Sequence, residues 1–141
     1  MKQTLVQSHG VASKKFIELT GEASEGVIVA SPPVVVASLL EDSNPIKKIA
    51  LDYIKDYEGK YNAPVSTFGG YAYDALNLVV NAIKTGKSAE PKAIRDALEM
   101  TTNYAGLNGI FNITKKDHLG LDLDSGIKML VIKNKEWAIA K

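Results

Sequence analysis

Two short apolar runs with one amphipathic segment between them occupy the first 31 residues. Residues 3–7, centred on Thr4-Leu5-Val6, read as a buried strand that ends in a polar, flexible tip, Gln7-Ser8-His9-Gly10. Ser13 stands where a helix cap is needed. Phe16, Ile17, Leu19 and Thr20 supply the apolar positions of that helix, and Gly21 its C-terminal stop. Residues 26–30, Gly-Val-Ile-Val-Ala, form the second strand candidate. Strand, helix and strand in so short a span make a βαβ unit, which requires parallel strands and a right-handed crossover. Ligands of such folds gather at the C-terminal ends of the strands. The 7–10 tip therefore lies on the functional edge.

Pro32-Pro33 excludes a central strand, so the following Val34-Val35-Val36 is read as part of a connector. Asn44-Pro45 pairs a capping side chain with proline at the first helical position. The helix after it carries an apolar stripe of Ile46, Ile49, Ala50, Tyr53, Ile54 and Tyr57, and Gly59 ends it. Residues 63–70 are a turn-rich loop leading into the longest predicted helix, residues 70–84. There Ala72, Ala75, Leu76, Val79, Ala82 and Ile83 are expected to face the core, with Asp74, Asn77, Asn81 and Lys84 in water. A third helix is predicted over 90–100, capped by Ser88, with Ile94, Ala97 and Leu98 inward. The last third changes period: residues 109–113 read as a strand, and 127–133 and 136–140 flank Asn134-Lys135 as a two-residue hairpin. Between them lies a polar loop, 115–125. The fold class is α/β: a βαβ unit, three helices and an antiparallel C-terminal tail.

The 141 residues suit one domain with a sizeable core. Lys plus Arg number 17 against 16 Asp plus Glu, a balance that gives no electrostatic footprint for nucleic acid or an anionic membrane. No apolar run reaches membrane-spanning length. Zero cysteine excludes disulfides, thiolate metal sites and cysteine nucleophiles. His118 with Asp117, Asp122 and Asp124 lacks the ligand spacing of a calcium loop or zinc site, so these read as solvated loop groups and no metal is expected. Gly69-Gly70 precedes a helix without a phosphate-loop pattern, and reads as a close backbone approach. No nucleophile elbow or Ser/His/Asp arrangement is present, so no enzyme activity and no cofactor are predicted. His9 is the one histidine on the functional edge. Phe68, Tyr71 and Tyr73 form an aromatic cluster suited to core packing or to the wall of a small-molecule pocket.

Several segments together carry a resemblance. Ser8-His9-Gly10-Val11-Ala12-Ser13, then Phe16 through Gly26-Val27, Pro64 through Leu76 with Gly69-Gly70-Tyr71-Ala72-Tyr73-Asp74, Ala93 through Leu98, Gly106-Leu107-Asn108-Gly109-Ile110-Phe111-Asn112, Asp117-His118 and Lys133-Asn134-Lys135-Glu136-Trp137 follow one another in order. They resemble the periplasmic solute-binding proteins of branched-chain amino acid ABC transporters, the leucine/isoleucine/valine-binding-like members of the type I periplasmic binding proteins. Members of that family are considerably longer, with two α/β lobes joined by three crossovers that close on a ligand in the cleft between them. The resemblance is to their C-terminal portion, and implies a three-layer fragment. By this analogy residues 1–31 are a second-lobe βαβ unit, 32–108 first-lobe helices, and 109–141 return strands.

The resemblance implies an extracytoplasmic receptor that binds a small molecule without covalent chemistry and hands it to a membrane permease. No signal sequence is legible at Met1-Lys2, and the signal is expected on a longer parent chain. Ser8, His9 and the Gly10 backbone are expected to make polar ligand contacts, with Phe68 and Tyr71 as apolar wall. Amino-acid binders of the family carry an acidic residue where His9 stands. A neutral imidazole accepts a hydrogen bond but an imidazolium repels an ammonium, which favours an aromatic or other small carboxylate over an amino acid. The chain alone is expected to bind weakly and to pair as a homodimer through exposed edges. A stand-alone flavodoxin-like regulatory or small enzyme domain is the alternative reading.

Overall fold

The computed structural model describes residues 3–140. Met1, Lys2 and Lys141, at the outer limits of the first and last sequence segments, lie outside the described residues. In chain order the elements are β1 (Val6–Gln7), α1 (Lys14–Thr20), β2 (Ile28–Ser31), α2 (Pro45–Tyr61), α3 (Thr67–Gly86), α4 (Pro91–Leu98), β3 (Tyr104–Ala105), β4 (Ile110–Phe111), α5 (Leu123–Gly126), β5 (Lys128–Lys133) and β6 (Glu136–Ile139).

The βαβ order holds, but β1 is two residues rather than five and is not buried as expected: Leu5 is 39% and Val6 60% exposed, because β1 is the edge strand of its sheet. β1 and β2 are parallel, with Val6 opposite Ile28 and Gln7 opposite Val29. The Ser13 hydroxyl accepts the Phe16 N–H at 3.2 Å and Gly21 closes α1 at φ +53°, a conformation that costs glycine little. Ile17 is buried but Leu19, expected inward, is 75% exposed. A seven-residue helix has one inner side, and two positions after Ile17 the chain points to the opposite one. β2 itself continues to Ser31 and pairs antiparallel with β5, and β5 with β6, giving a mixed sheet in the order β1-β2-β5-β6. Asn134 and Lys135 both take positive φ, 54° and 62°, as the predicted two-residue hairpin demands. Ala12, Ile17, Val27, Val29 and Ile132 are the core of this sheet half, with Trp137 packed against them.

The connector Pro33–Leu39 winds into tight helical turns whose Pro33, Val34, Val36 and Ala37 are buried. Val34 and Ala37 join Leu40, Ile46, Ala50 and Leu107 in a second core, against α2. Asn44 caps α2 as predicted, accepting the Ile46 N–H at 2.9 Å, but the helix runs past Gly59 to a left-handed Asn62. α3 begins three residues earlier than expected because the Ser66 hydroxyl takes the Gly69 N–H at 3.2 Å. Ser88 accepts the Glu90 N–H at 3.1 Å, while Glu90 itself occupies the cap position of α4.

The faces of α3 are the main correction. Thr67, Gly70, Asp74, Leu78 and Ala82 are buried, whereas Leu76, Val79 and Val80 are exposed. Of the residues predicted to turn inward only Ala82 is buried, and Asp74, predicted to lie in water, is among the least exposed residues of the chain. α3 is apolar around most of its circumference, so period alone could not choose between its sides. Asp74 is drawn inward by three donors waiting there. The β3–β4 hairpin (Tyr104 opposite Phe111) and the single turn α5 at the end of the polar loop were not predicted; both are short local structures, the second capped by Asp122. No helix among the described residues is long and apolar enough to cross a membrane.

Candidate functional site

β1 ends where Ser8 begins a tight turn, His9–Val11, held by Ala12 N–H donating to the His9 carbonyl at 3.0 Å. Ser8, His9 and Gly10 are all exposed, and the Ser8 hydroxyl makes no capping bond. This turn leaves three polar groups free at the C-terminal end of a parallel strand.

The first turn of α3 faces it. The His9 and Phe68 ring centroids are 6.5 Å apart, tilted by 53°, and His9 meets Tyr71 edge-on at 6.1 Å and 87°. Residues nearly sixty positions apart in sequence thus form one open wall in which an imidazole meets two aromatic rings. Phe68 is 63% exposed, so it is not core packing. Burial pushes the Tyr71 phenol up, keeping it a neutral hydrogen-bond donor. Tyr73, the third aromatic of the cluster, turns away and stacks on Tyr53 at 4.9 Å. All five predicted site residues, Ser8, His9, Gly10, Phe68 and Tyr71, lie on this wall or in the turn that carries it.

A second set of residues, not predicted, fixes the wall's position. The Asp74 carboxylate accepts the Leu107 N–H at 2.7 Å, the Asn108 N–H at 3.0 Å and the Asn108 side-chain amide at 2.8 Å. Burial pushes the Asp74 carboxyl above the ordinary carboxylate range, and these three donors pull it back in part. A Cβ on Gly70 would stand 3.0 Å from the Asn108 amide, and one on Gly69 2.8 Å from the Tyr53 hydroxyl. Gly69-Gly70 is therefore a close approach, as its lack of a phosphate-loop pattern implied. The sequence signal for the clamp was an aspartate among apolar neighbours, read as a solvent-facing residue.

The polar loop has local tasks. Asp117 accepts the Gly120 N–H at 3.0 Å, Asp122 caps α5 through the Ser125 N–H at 2.7 Å, and His118 lies 3.2 Å from Glu99. No group of three metal-ligating side chains is present among the described residues. A groove of about 630 Å³ along α1, lined by Ile17, Val35, Leu39, Lys135 and Trp137 among others, lies apart from the aromatic wall and holds none of its residues.

A mixed α/β fold thus brings a strand-end turn against the start of a helix across aromatic rings. The sequence model of the periplasmic binding proteins matches residues 1–122, and the chain belongs to that family. It is similar in structure to an extracellular ligand-binding receptor from Rhodopseudomonas palustris, at 33% identity and a TM-score of 0.89, over 99% of this chain and 41% of that one. A further extracellular ligand-binding receptor, from Rhodopseudomonas palustris HaA2, gives 34% identity, a TM-score of 0.89 and the same coverage. The branched-chain amino acid transporter substrate-binding protein of Streptococcus pneumoniae, in complex with isoleucine, shares the fold at 22% identity and a TM-score of 0.69, over 99% of this chain and 37% of its own. No curated protein matches the sequence. The chain thus spans 41% of the length of the Rhodopseudomonas receptors. The family match decides against the flavodoxin-like alternative.

Proposed function

We propose that this chain is one portion of an extracytoplasmic solute receptor of an ABC importer, and that it grips a small aromatic carboxylate without altering it. Residues 1–31 belong on this reading to the second lobe, 32–108 to the first, and 109–141 return between them. The observation that carries the proposal is the meeting of His9 with Phe68 and Tyr71 at 6.1–6.5 Å, from two distant parts of the chain. Two aromatic rings within 6.1–6.5 Å of an imidazole favour a flat ligand, stacked or edge-on. An imidazole N–H of His9 and the Ser8 hydroxyl can both donate to a carboxylate.

An α-amino group would find no counter-charge on this wall. Among the described residues no carboxylate side chain hydrogen-bonds or ion-pairs with His9, and Asp74, one turn below Tyr71, is buried and committed to Leu107 and Asn108. Calorimetry of the full-length gene product tests this with benzoate and phenylacetate against leucine, isoleucine and valine. The aromatic acids are expected to bind more tightly, and His9→Asp to reverse the order. Leucine binding most tightly to the unaltered receptor would sink the aromatic-acid reading.

A further inference from the structure

The two cores of the chain do not close on each other along their whole length. Between α1 and the connector 33–39 runs the groove of about 630 Å³, lined by Ile17, Val35, Val36, Leu39 and Trp137. It shares Lys14, Val35, Ser38 and Trp137 with a second hollow of about 270 Å³, which reaches Ile54 of α2 and Pro64-Val65. A third, of about 360 Å³, adjoins the second at Lys14 and Pro64. Ile17 and Trp137 belong to the packing of the sheet core, Val35 and Ile54 to that of the helical core, so both halves supply the walls. The largest hollow has the volume of a small-molecule site.

The polar groups around it favour one sign of charge. Glu18 is bonded by Lys15 at 3.2 Å, and Glu58 accepts the Val65 N–H at 3.3 Å. At the hairpin end the adjacent Lys135 and Glu136 offset each other. Lys14 lines all three hollows and has no ion-pair partner among the described residues. The Ser38 hydroxyl lines two of them and is exposed. The indole N–H of Trp137 is shut off from water and has no acceptor among the described residues, an uncommon state for a buried donor. Because β6 is the outer strand of its sheet, a small shift of the hairpin presents that N–H to an acceptor in the groove. Apart from the indole the apolar lining is aliphatic, and the hollows follow one another. That shape suits a flexible chain rather than a disc.

We infer that this groove binds a straight-chain aliphatic carboxylate of medium length, with its tail along Ile17, Val36 and Leu39 and its carboxylate on Lys14 and Ser38. The bound molecule touches both halves beside the connector that joins them. The groove shares no residue with the aromatic wall, and it stands whether or not the chain is a receptor.

Trp137 is the only tryptophan of the chain, so its emission reports on the groove directly. The chain is titrated with octanoate, octanol and octylamine. Octanoate is expected to shift the emission to saturation at one molecule per chain, with octanol weaker and octylamine weakest. From hexanoate to decanoate, each added CH₂ should tighten binding by up to about fourfold. Lys14→Met keeps the stem and should weaken octanoate by roughly fivefold while leaving octanol unchanged. Leu39→Asp, at a half-exposed position, should remove both. Lys48→Met on α2, where the lysine pairs with Asp52, is the control and should change nothing. Emission that drifts without saturating, octylamine binding as tightly as octanoate, an unaltered octanoate affinity in Lys14→Met, or full affinity in Leu39→Asp would each overturn the proposal.

Discussion

The sheet half and the helical half of this chain solve the same burial problem with different completeness. In the sheet half α1 and the β5–β6 hairpin enclose Val29 and Ile132 fully, and backbone pairing sets the register residue by residue. The helical half also has a dry core, with Ile46, Ala50 and Leu107 inaccessible. It adds a buried carboxylate clamp, and it leaves the other side of α3 bare. A sheet satisfies its backbone through its neighbours and needs one covering layer, whereas a helix that is apolar on two sides needs two. Regular, hydrogen-bonded structure is therefore not the same as a finished surface.

The largest effects should come from the two cores. Leu107→Ala and Ile132→Ala are each expected to cost about 2–5 kcal/mol, read by urea denaturation. If both halves form one cooperative unit, fluorescence and circular dichroism will report a single shared transition for each variant. Separate transitions would break the comparison by making the halves independent.

Next comes the clamp. Asp74→Asn replaces an acceptor by a donor facing the Asn108 N–H groups, at an expected cost of about 1–3 kcal/mol. Its pH dependence carries the sign of a raised carboxyl: the folded state holds the Asp74 proton to higher pH than the unfolded chain. The stability that this proton contributes is present below the ordinary value of 3.8 and is lost as pH rises through the folded value. The gap between the unaltered chain and Asp74→Asn should thus be widest in acid and narrow on neutralisation; a gap widening toward neutral pH would contradict the burial argument.

Ser66→Ala should cost about 1 kcal/mol by freeing the Gly69 N–H at the start of α3. The same variant sharpens the comparison, because it should loosen Phe68 and Tyr71 against His9 while leaving the sheet's amide exchange unchanged. The smallest effect sits on α4. Lys92 and Arg95 hydrogen-bond Asp96 and hold its carboxyl down at about 2. A carbon-13 titration should show that midpoint moving back toward 3.8 in Lys92→Met, with no measurable change in unfolding.

Local signals were read well wherever the chain itself supplies both partners of a contact. Ser13, Asn44 and the Asn134-Lys135 turn act within four residues, and their roles were visible in the residue types alone. Strand-end geometry pointed to the 8–10 tip and the aromatic cluster to Phe68 and Tyr71, and the fold brings these positions near one another. Distance explains the main miss, Asp74 reaching Leu107 and Asn108 across more than thirty positions and with it the outward Leu76; the β3–β4 hairpin and the outward Leu19 are local and were missed for want of a strong residue signal.

Residue order by itself determined the longer helices, the βαβ order and the C-terminal hairpin, because caps, turns and side-chain period are chosen against backbone groups a few positions away; several boundaries, such as the end of α2 and the start of α3, were set in the fold. Which side of α3 is buried was decided only in the folded molecule. Two apolar arcs of similar strength compete there, and the choice fell to the one where a carboxylate finds three donors and a glycine lets the chains touch.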